Sequence, residues 1–188
     1  GGHRGRLKPN HPSLHGIQCG SFSRRAAEFD IGWLEEPIPP HDREGYQLLA
    51  RSAELPLAAG ESEYTTHGIR DLVSSRSLAF VQPNVSRAGG ITETRKIGLL
   101  AHAFDSYFAP HIGFSGVVCL AATMQLGAAA INFHSLETMV IPNLLREELG
   151  TEPIGHESML GTDGRMPVPQ GPGLGVDIDL RVLDRYRV

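Results

Sequence analysis

The 188-residue chain has few cysteines, few aromatic residues and no long apolar run. Its two cysteines, Cys19 and Cys119, exclude a disulfide scaffold and a four-cysteine zinc site. Every apolar stretch is broken by glycine, proline or charge well before the ~18 residues that a membrane helix needs, so no membrane partner is expected. The first thirty residues lack the apolar core of a secretory signal. With 17 Lys and Arg against 21 Asp and Glu, there is no basic excess to hold nucleic acid. What remains is a globular composition, 40% hydrophobic and 20% charged, in a chain long enough for one domain with its own core. The expectation is an α/β protein of the cytoplasm.

Acidic residues are missing altogether from residues 1–27, which carry Arg4, Arg6, Lys8, Arg24 and Arg25. From Glu28 onward 12 Lys and Arg face 21 Asp and Glu. The head has neither a helical nor a strand period, so residues 1–23 read as an irregular basic segment and 24–188 as the folded portion.

From residue 30 a rhythm sets in. Short apolar runs at Ile31–Leu34, Leu55–Ala59, Leu78–Val81 and Tyr107–Ala109 are too short for helices and suit buried parallel strands. The stretches between them, about 43–53, 66–75, 90–103 and 115–130, read as helices, and a fifth strand is expected near Phe133–Leu136. Gly89-Gly90 reads as a tight turn with Ile91 or Thr92 opening a helix. Successive βα units imply a parallel sheet.

Polar residues close these runs at one period. Glu35 ends the first, Glu61 follows the second, Asn84 the third and His111 the fourth, at spacings of 26, 23 and 27 residues. In a β/α barrel the C-terminal strand ends face one mouth, where active sites sit, so these four groups would converge. In a doubly wound sheet they would be ordinary polar strand ends.

The segments Trp33-Leu34-Glu35-Glu36-Pro37, Gly60-Glu61-Ser62, Val81-Gln82-Pro83-Asn84, Arg87-Ala88-Gly89-Gly90-Ile91-Thr92 and Ala109-Pro110-His111 resemble the enolase superfamily. The branch resembled is the mandelate racemase and acid-sugar dehydratase group, and Pro169–Gly175 is similar to its tail. The resemblance implies a partial (β/α) TIM-type barrel, about the last five βα units, without the capping domain. It further implies Mg²⁺ held by carboxylates on successive strands and a sugar-acid substrate that loses the proton beside its carboxylate, then water. A Lys or His base with Mg²⁺ is the general pattern of this superfamily, and Mg²⁺ takes hard oxygen ligands.

Residue by residue, Glu35 and Glu61 are similar to metal ligands, and His111 to the general base, whose ordinary pKa suits proton transfer near neutrality. Glu137 is similar to a group that hydrogen-bonds the substrate carboxylate. Glu36 would point away from Glu35 on a strand and form a structural pair. Arg87 lies near the mouth as a solvated charge. Asn84 stands where the family has an Asp that orients the His. Its amide can accept a ring N–H through oxygen, or it can present its NH₂ and favour the other tautomer; in serine proteases the Asp→Asn change costs about 10⁴ in rate.

The resemblance also implies a first metal-ligand Asp near Pro9 and an earlier Lys-bearing strand, and the sequence has neither. Such a head is what a shifted or mis-started reading frame would leave. A barrel portion with open strand edges is expected to associate as a homo-oligomer and to turn over substrate poorly. A racemase or epimerase of the same branch and a non-catalytic, vestigial scaffold are the other readings.

Overall fold

The computed structural model describes residues 14–139, 141–151, 154 and 159–187. Residues 1–13, and with them the position near Pro9, lie outside it.

Strands β1 (Leu34–Glu35), β2 (Leu57–Ala59), β3 (Phe80–Val81) and β4 (Tyr107–Phe108) form one parallel sheet in sequence order. Each is followed by a helix: α2 (Arg43–Ser52), α3 (Thr65–Ser74), α4 (Ile91–Ala103) and α5 (Val117–Ala129). This is the partial β/α barrel, and every expected helix lies within two residues of its expected bounds. The fifth strand is reduced to one parallel bridge between Phe108 and Phe133. There the Phe108 N–H donates to the Asn132 carbonyl (2.8 Å) and the His134 N–H to the Phe108 carbonyl (2.9 Å). Among the described residues the sheet therefore has four strands rather than five.

Strand alternation sorts the side chains. Leu34, Leu57, Ala59 and Val81 face the helices and join Tyr46, Leu49, Ile69, Leu72 and Ile97 in the larger core. Ala58, Phe80 and Ala109, with Trp33, form a separate cluster on the barrel's inner face. The Trp33 and Phe80 rings stand 4.7 Å apart, and Phe80 stacks on Tyr107 at 5.6 Å. Glu35, two residues after Trp33, falls on this inner face as well.

A helix the sequence did not announce, α1, spans Leu14–Ala26 and crosses the expected boundary at residue 23. Its hold on the fold is tertiary. Ala26 is buried, Cys19 packs on the core, and the Ser23 hydroxyl accepts the Glu54 and Leu55 N–H groups at 2.9 and 3.0 Å. Arg24 and Arg25 in its last turn also suit the helix dipole. Packing rather than periodicity stabilises this helix, which is why no periodic signal reported it. Among the described residues, short helices α6 (Leu144–Glu147) and α7 (Leu180–Arg185) follow α5. Gln125 on α5 pins the tail by donating to the Pro169 and Leu174 carbonyls.

Glu93, in the first turn of α4, ties that helix to α3. Its carboxylate accepts the Thr66 N–H (3.1 Å) and hydroxyl (2.8 Å) and pairs with Lys96 (3.0 Å). The backbone N–H of Thr66 is the main reason its pKa is pulled down from 4.5 to about 2. A carboxylate with a lowered folded-state pKa contributes stability at neutral pH, lost as pH falls from the unfolded value through the folded one. Glu93→Gln should therefore flatten the acid limb of a stability–pH curve between 4.5 and about 2. Urea melts across that range would check it; an unchanged limb would remove Glu93 from the account.

Candidate active site

Four of the five expected site residues meet at the C-terminal end of the sheet. His111 follows β4 and is 9% exposed; Asn84 follows β3 and is 3% exposed. The His111 Nε2 lies 2.8 Å from a Glu61 carboxylate oxygen and 3.6 Å from Glu137 Oε2. Its Nδ1 lies 3.2 Å from the Asn84 side-chain nitrogen. Glu137 is fixed in turn by accepting the Ile112 and Gly113 N–H groups at 2.8 and 3.1 Å. Asn84, His111, Glu61 and Glu137 thus form one continuous polar chain.

The backbone that presents these groups depends on two glycines. Gly60, just before Glu61, has φ +138, and a Cβ there would sit 3.0 Å from the Gln82 nitrogen. Gly113 has φ +50, and a Cβ there would sit 2.8 Å from His111 Cε1. Only a residue without a side chain lets the ring lie over that turn.

Glu35 stands apart from this chain. Its Oε2 accepts the Gln82 side-chain N–H at 2.7 Å and the Trp33 indole N–H at 3.3 Å. Glu61 is engaged by Arg87, whose Nη1 is 3.1 Å from its carboxylate and 3.3 Å from its carbonyl. Arg87 is thus an ion-pair partner rather than a free solvated charge.

Glu36 corrects another expectation. It leaves the strand at φ 37 and forms no structural ion pair; its Oε1 is buried with no hydrogen-bond partner among the described residues. Burial raises its pKa, and the nearby Glu61 raises it further, while a hydrogen bond from the Gly60 N–H opposes both.

One participant escaped the sequence reading. Arg146, buried at 6% exposure on α6, donates through Nη2 to the Gly113 and Ser115 carbonyls at 3.2 and 3.1 Å. It clamps the loop that carries His111. Nothing in its spacing along the sequence links it to that loop.

The comparisons with known proteins bear on this arrangement. The family model for enolase C-terminal domain-like proteins matches residues 19–182. This chain belongs to that family. A D-xylonate dehydratase of Haloferax volcanii is 34% identical over 90% of this chain and 40% of its own length. A D-galactonate dehydratase of Variovorax paradoxus is 38% identical over 78% of this chain and 38% of its own. Among solved structures, the 3,6-anhydro-D-galactonate cycloisomerase of Zobellia galactanivorans superposes with TM-score 0.80 at 33% identity, covering 91% of this chain and 47% of that one. The mandelate racemase/muconate lactonizing enzyme of Jannaschia sp. CCS1 gives TM-score 0.82 at 29% identity, covering 95% and 44%. The chain spans about two-fifths of the length of the curated relatives it matches.

Membership in the enolase C-terminal domain-like family raises the question of Mg²⁺. Glu35 and Glu61 are hard oxygen donors of the right kind. Yet both are committed to N–H partners, and among the described residues no three His, Cys, Asp or Glu side chains are grouped to hold a metal ion. The described residues of this family member do not fit Mg²⁺ on their own. Also among the described residues, no helix is long and apolar enough to cross a membrane.

Proposed function

We propose that this chain carries the proton-handling side of an acid-sugar dehydratase-type site. The observation that carries the reading is the run from the buried Asn84 and His111 to the half-buried Glu61 and the exposed Glu137 at the sheet's C-terminal end. An imidazole held between an amide and two carboxylates is built to hold a proton at a fixed atom, which is what chemistry beside a substrate carboxylate needs. The names of the relatives, dehydratases and a cycloisomerase of sugar acids and lactones, support the same class.

The substrate class follows from the lining. A polyhydroxylated carboxylate offers hydroxyl donors to Glu35, Glu61 and Glu137, while its anionic end needs a cation to offset them. Arg87 is the cation that already touches Glu61, and its side chain is half exposed. The reaction class is removal of the proton next to the carboxylate followed by loss of a hydroxyl as water. The proton would pass to the Glu137 carboxylate and from there to the departing hydroxyl, with the His111 ring beside it holding a substrate oxygen. Asn84 would orient the ring, and Glu35 and Glu61 would line the mouth as the family's candidate metal ligands.

The test is ligand-induced shift of the His111 ring and Asn84 amide NMR signals on adding D-galactonate or D-xylonate, with a neutral polyol as control. The anions should shift both signals and Arg87→Ala should weaken that response. Anions that leave both signals unmoved would sink the reading.

The favoured second reading is a non-catalytic scaffold, because Glu35 and Glu61 are each satisfied without a cation. Millimolar Mg²⁺ should leave the melting temperature of the purified chain unchanged. A ligand at 100 times its Kd would add about 2.7 kcal/mol, so a clear upward shift would overturn the conclusion on metal fit.

A further inference from the structure

We infer that Asn84 holds the neutral His111 ring as its Nε2–H tautomer, so that the ring meets a ligand at the mouth as a hydrogen-bond donor and not as a base.

The decisive atoms belong to the turn after β3. The Asn84 Oδ1 accepts the Ser86 N–H at 3.0 Å and the Arg87 N–H at 3.3 Å. Backbone N–H groups only donate, so the amide oxygen must face them and the NH₂ must face the other way. Flipping the amide would point its NH₂ at two donors inside a residue that is only 3% exposed. The NH₂ therefore faces His111 Nδ1 at 3.2 Å and the Ser115 hydroxyl at 3.4 Å. An NH₂ can only donate to Nδ1, which must then carry its lone pair, and the ring proton goes to Nε2.

The other end of the ring gives the same answer independently. Nε2 lies 2.8 Å from Glu61 and 3.6 Å from Glu137, both carboxylate oxygens. Carboxylates accept, so Nε2 must donate. A lone pair at Nε2 would face two acceptors there and would leave Nδ1–H against an NH₂. Turning the ring over would replace both nitrogens by carbons. The Gly113 turn closes over Cε1 and Nε2 and keeps the ring in this place.

Asn84 is thus a positioning residue, acting on a ligand only through His111. A base at the mouth needs a lone pair on Nε2. The lone pair here sits on Nδ1, turned into the protein toward Asn84. The group available at the mouth is an N–H, suited to hold a carboxylate or hydroxyl oxygen of a ligand by a hydrogen bond. That role rests on the reading above that this mouth handles sugar acids; the tautomer does not.

Long-range ¹H–¹⁵N correlation of the histidine rings tests the tautomer directly, because protonated and unprotonated ring nitrogens resonate far apart. The full chain is measured at alkaline pH, well above the ordinary histidine range. His111 is assigned by loss of its signals in His111→Gln. Nε2 should appear as the protonated nitrogen, with a bias of at least about tenfold, since a hydrogen bond to a charged group distinguishes the two forms. Asn84→Asp should shrink that bias, because Nδ1–H then finds an acceptor while Glu61 still draws the proton to Nε2. One Asp oxygen can keep the Ser86 and Arg87 N–H groups while the other accepts from Nδ1–H. A wild-type spectrum in which the Nδ1–H form predominates would overturn the inference, whatever the variant does. Absent sugar-acid binding with the Nε2–H form intact would instead overturn only the functional reading.

Discussion

Phe108→Ala is expected to cost about 3–5 kcal/mol, the range for truncating a buried phenylalanine. That is a large part of the ~5–15 kcal/mol that holds a domain together. Phe108 is 1% exposed and is the last residue of β4. Its ring lies against Gly98 of α4, where even an added Cβ would come within 3.5 Å. On the other side it joins the cluster with Val117, Leu120, Ala121 and Met124 of α5. The backbone cannot close the resulting hole. It is paired with Val81 through the strand register and bridged to Phe133 on the other side. Urea unfolding of the variant against the parent is the measurement. A cost below about 1 kcal/mol would mean that the α4 and α5 faces do not meet over this ring. The site should suffer as well, because His111 stands three residues further along the chain.

The second large effect is on rate. Asn84→Asp is expected to speed exchange of the hydrogen beside the carboxylate of D-galactonate for solvent deuterium by about 10²–10⁴-fold over the parent. The range is that of general acid–base catalysis, with the upper end set by the Asp→Asn loss in serine proteases, run in reverse. The physical reason is the tautomer. An Asp accepts from Nδ1–H, lets the lone pair stand on Nε2 once a ligand replaces the Glu61 contact, and favours the charged ring that forms on proton abstraction. Exchange followed by ¹H NMR reads this without requiring loss of water. Equal rates in parent and variant would mean that ring orientation does not limit proton removal at this mouth.

The contrast between Glu61 and Glu36 explains how far the sequence could be read. Glu61 was legible because it ends an apolar run at the common period, and strand ends in a β/α array share one side of the sheet. Its engagement by Arg87 and His111 was not legible, since those partners arrive from loops 26 and 50 residues away in the sequence. Glu36 was misjudged because strand alternation was extended one residue too far. The chain turns to positive φ at that position and carries the side chain into a crowd of carboxylates. Helix α1 was missed for a related reason: the contacts through Ser23, Ala26 and Cys19 that hold it are long-range and leave no local period.

Local rules acting on residue order determined the βα rhythm, the four strands and helices, and the placing of Glu35, Glu61, Asn84 and His111 at strand ends. Strand alternation and helix propensity act over a few residues, so they are written in a short stretch of chain. The tertiary structure decided what those groups are to one another. The Asn84 amide could have faced His111 with either end. The backbone N–H groups of Ser86 and Arg87 take its oxygen, and that turn leaves the NH₂ for the ring. An amide is nearly symmetric in shape and opposite in hydrogen bonding at its two ends, so its chemistry is set by neighbours that only the folded chain brings within 3.5 Å.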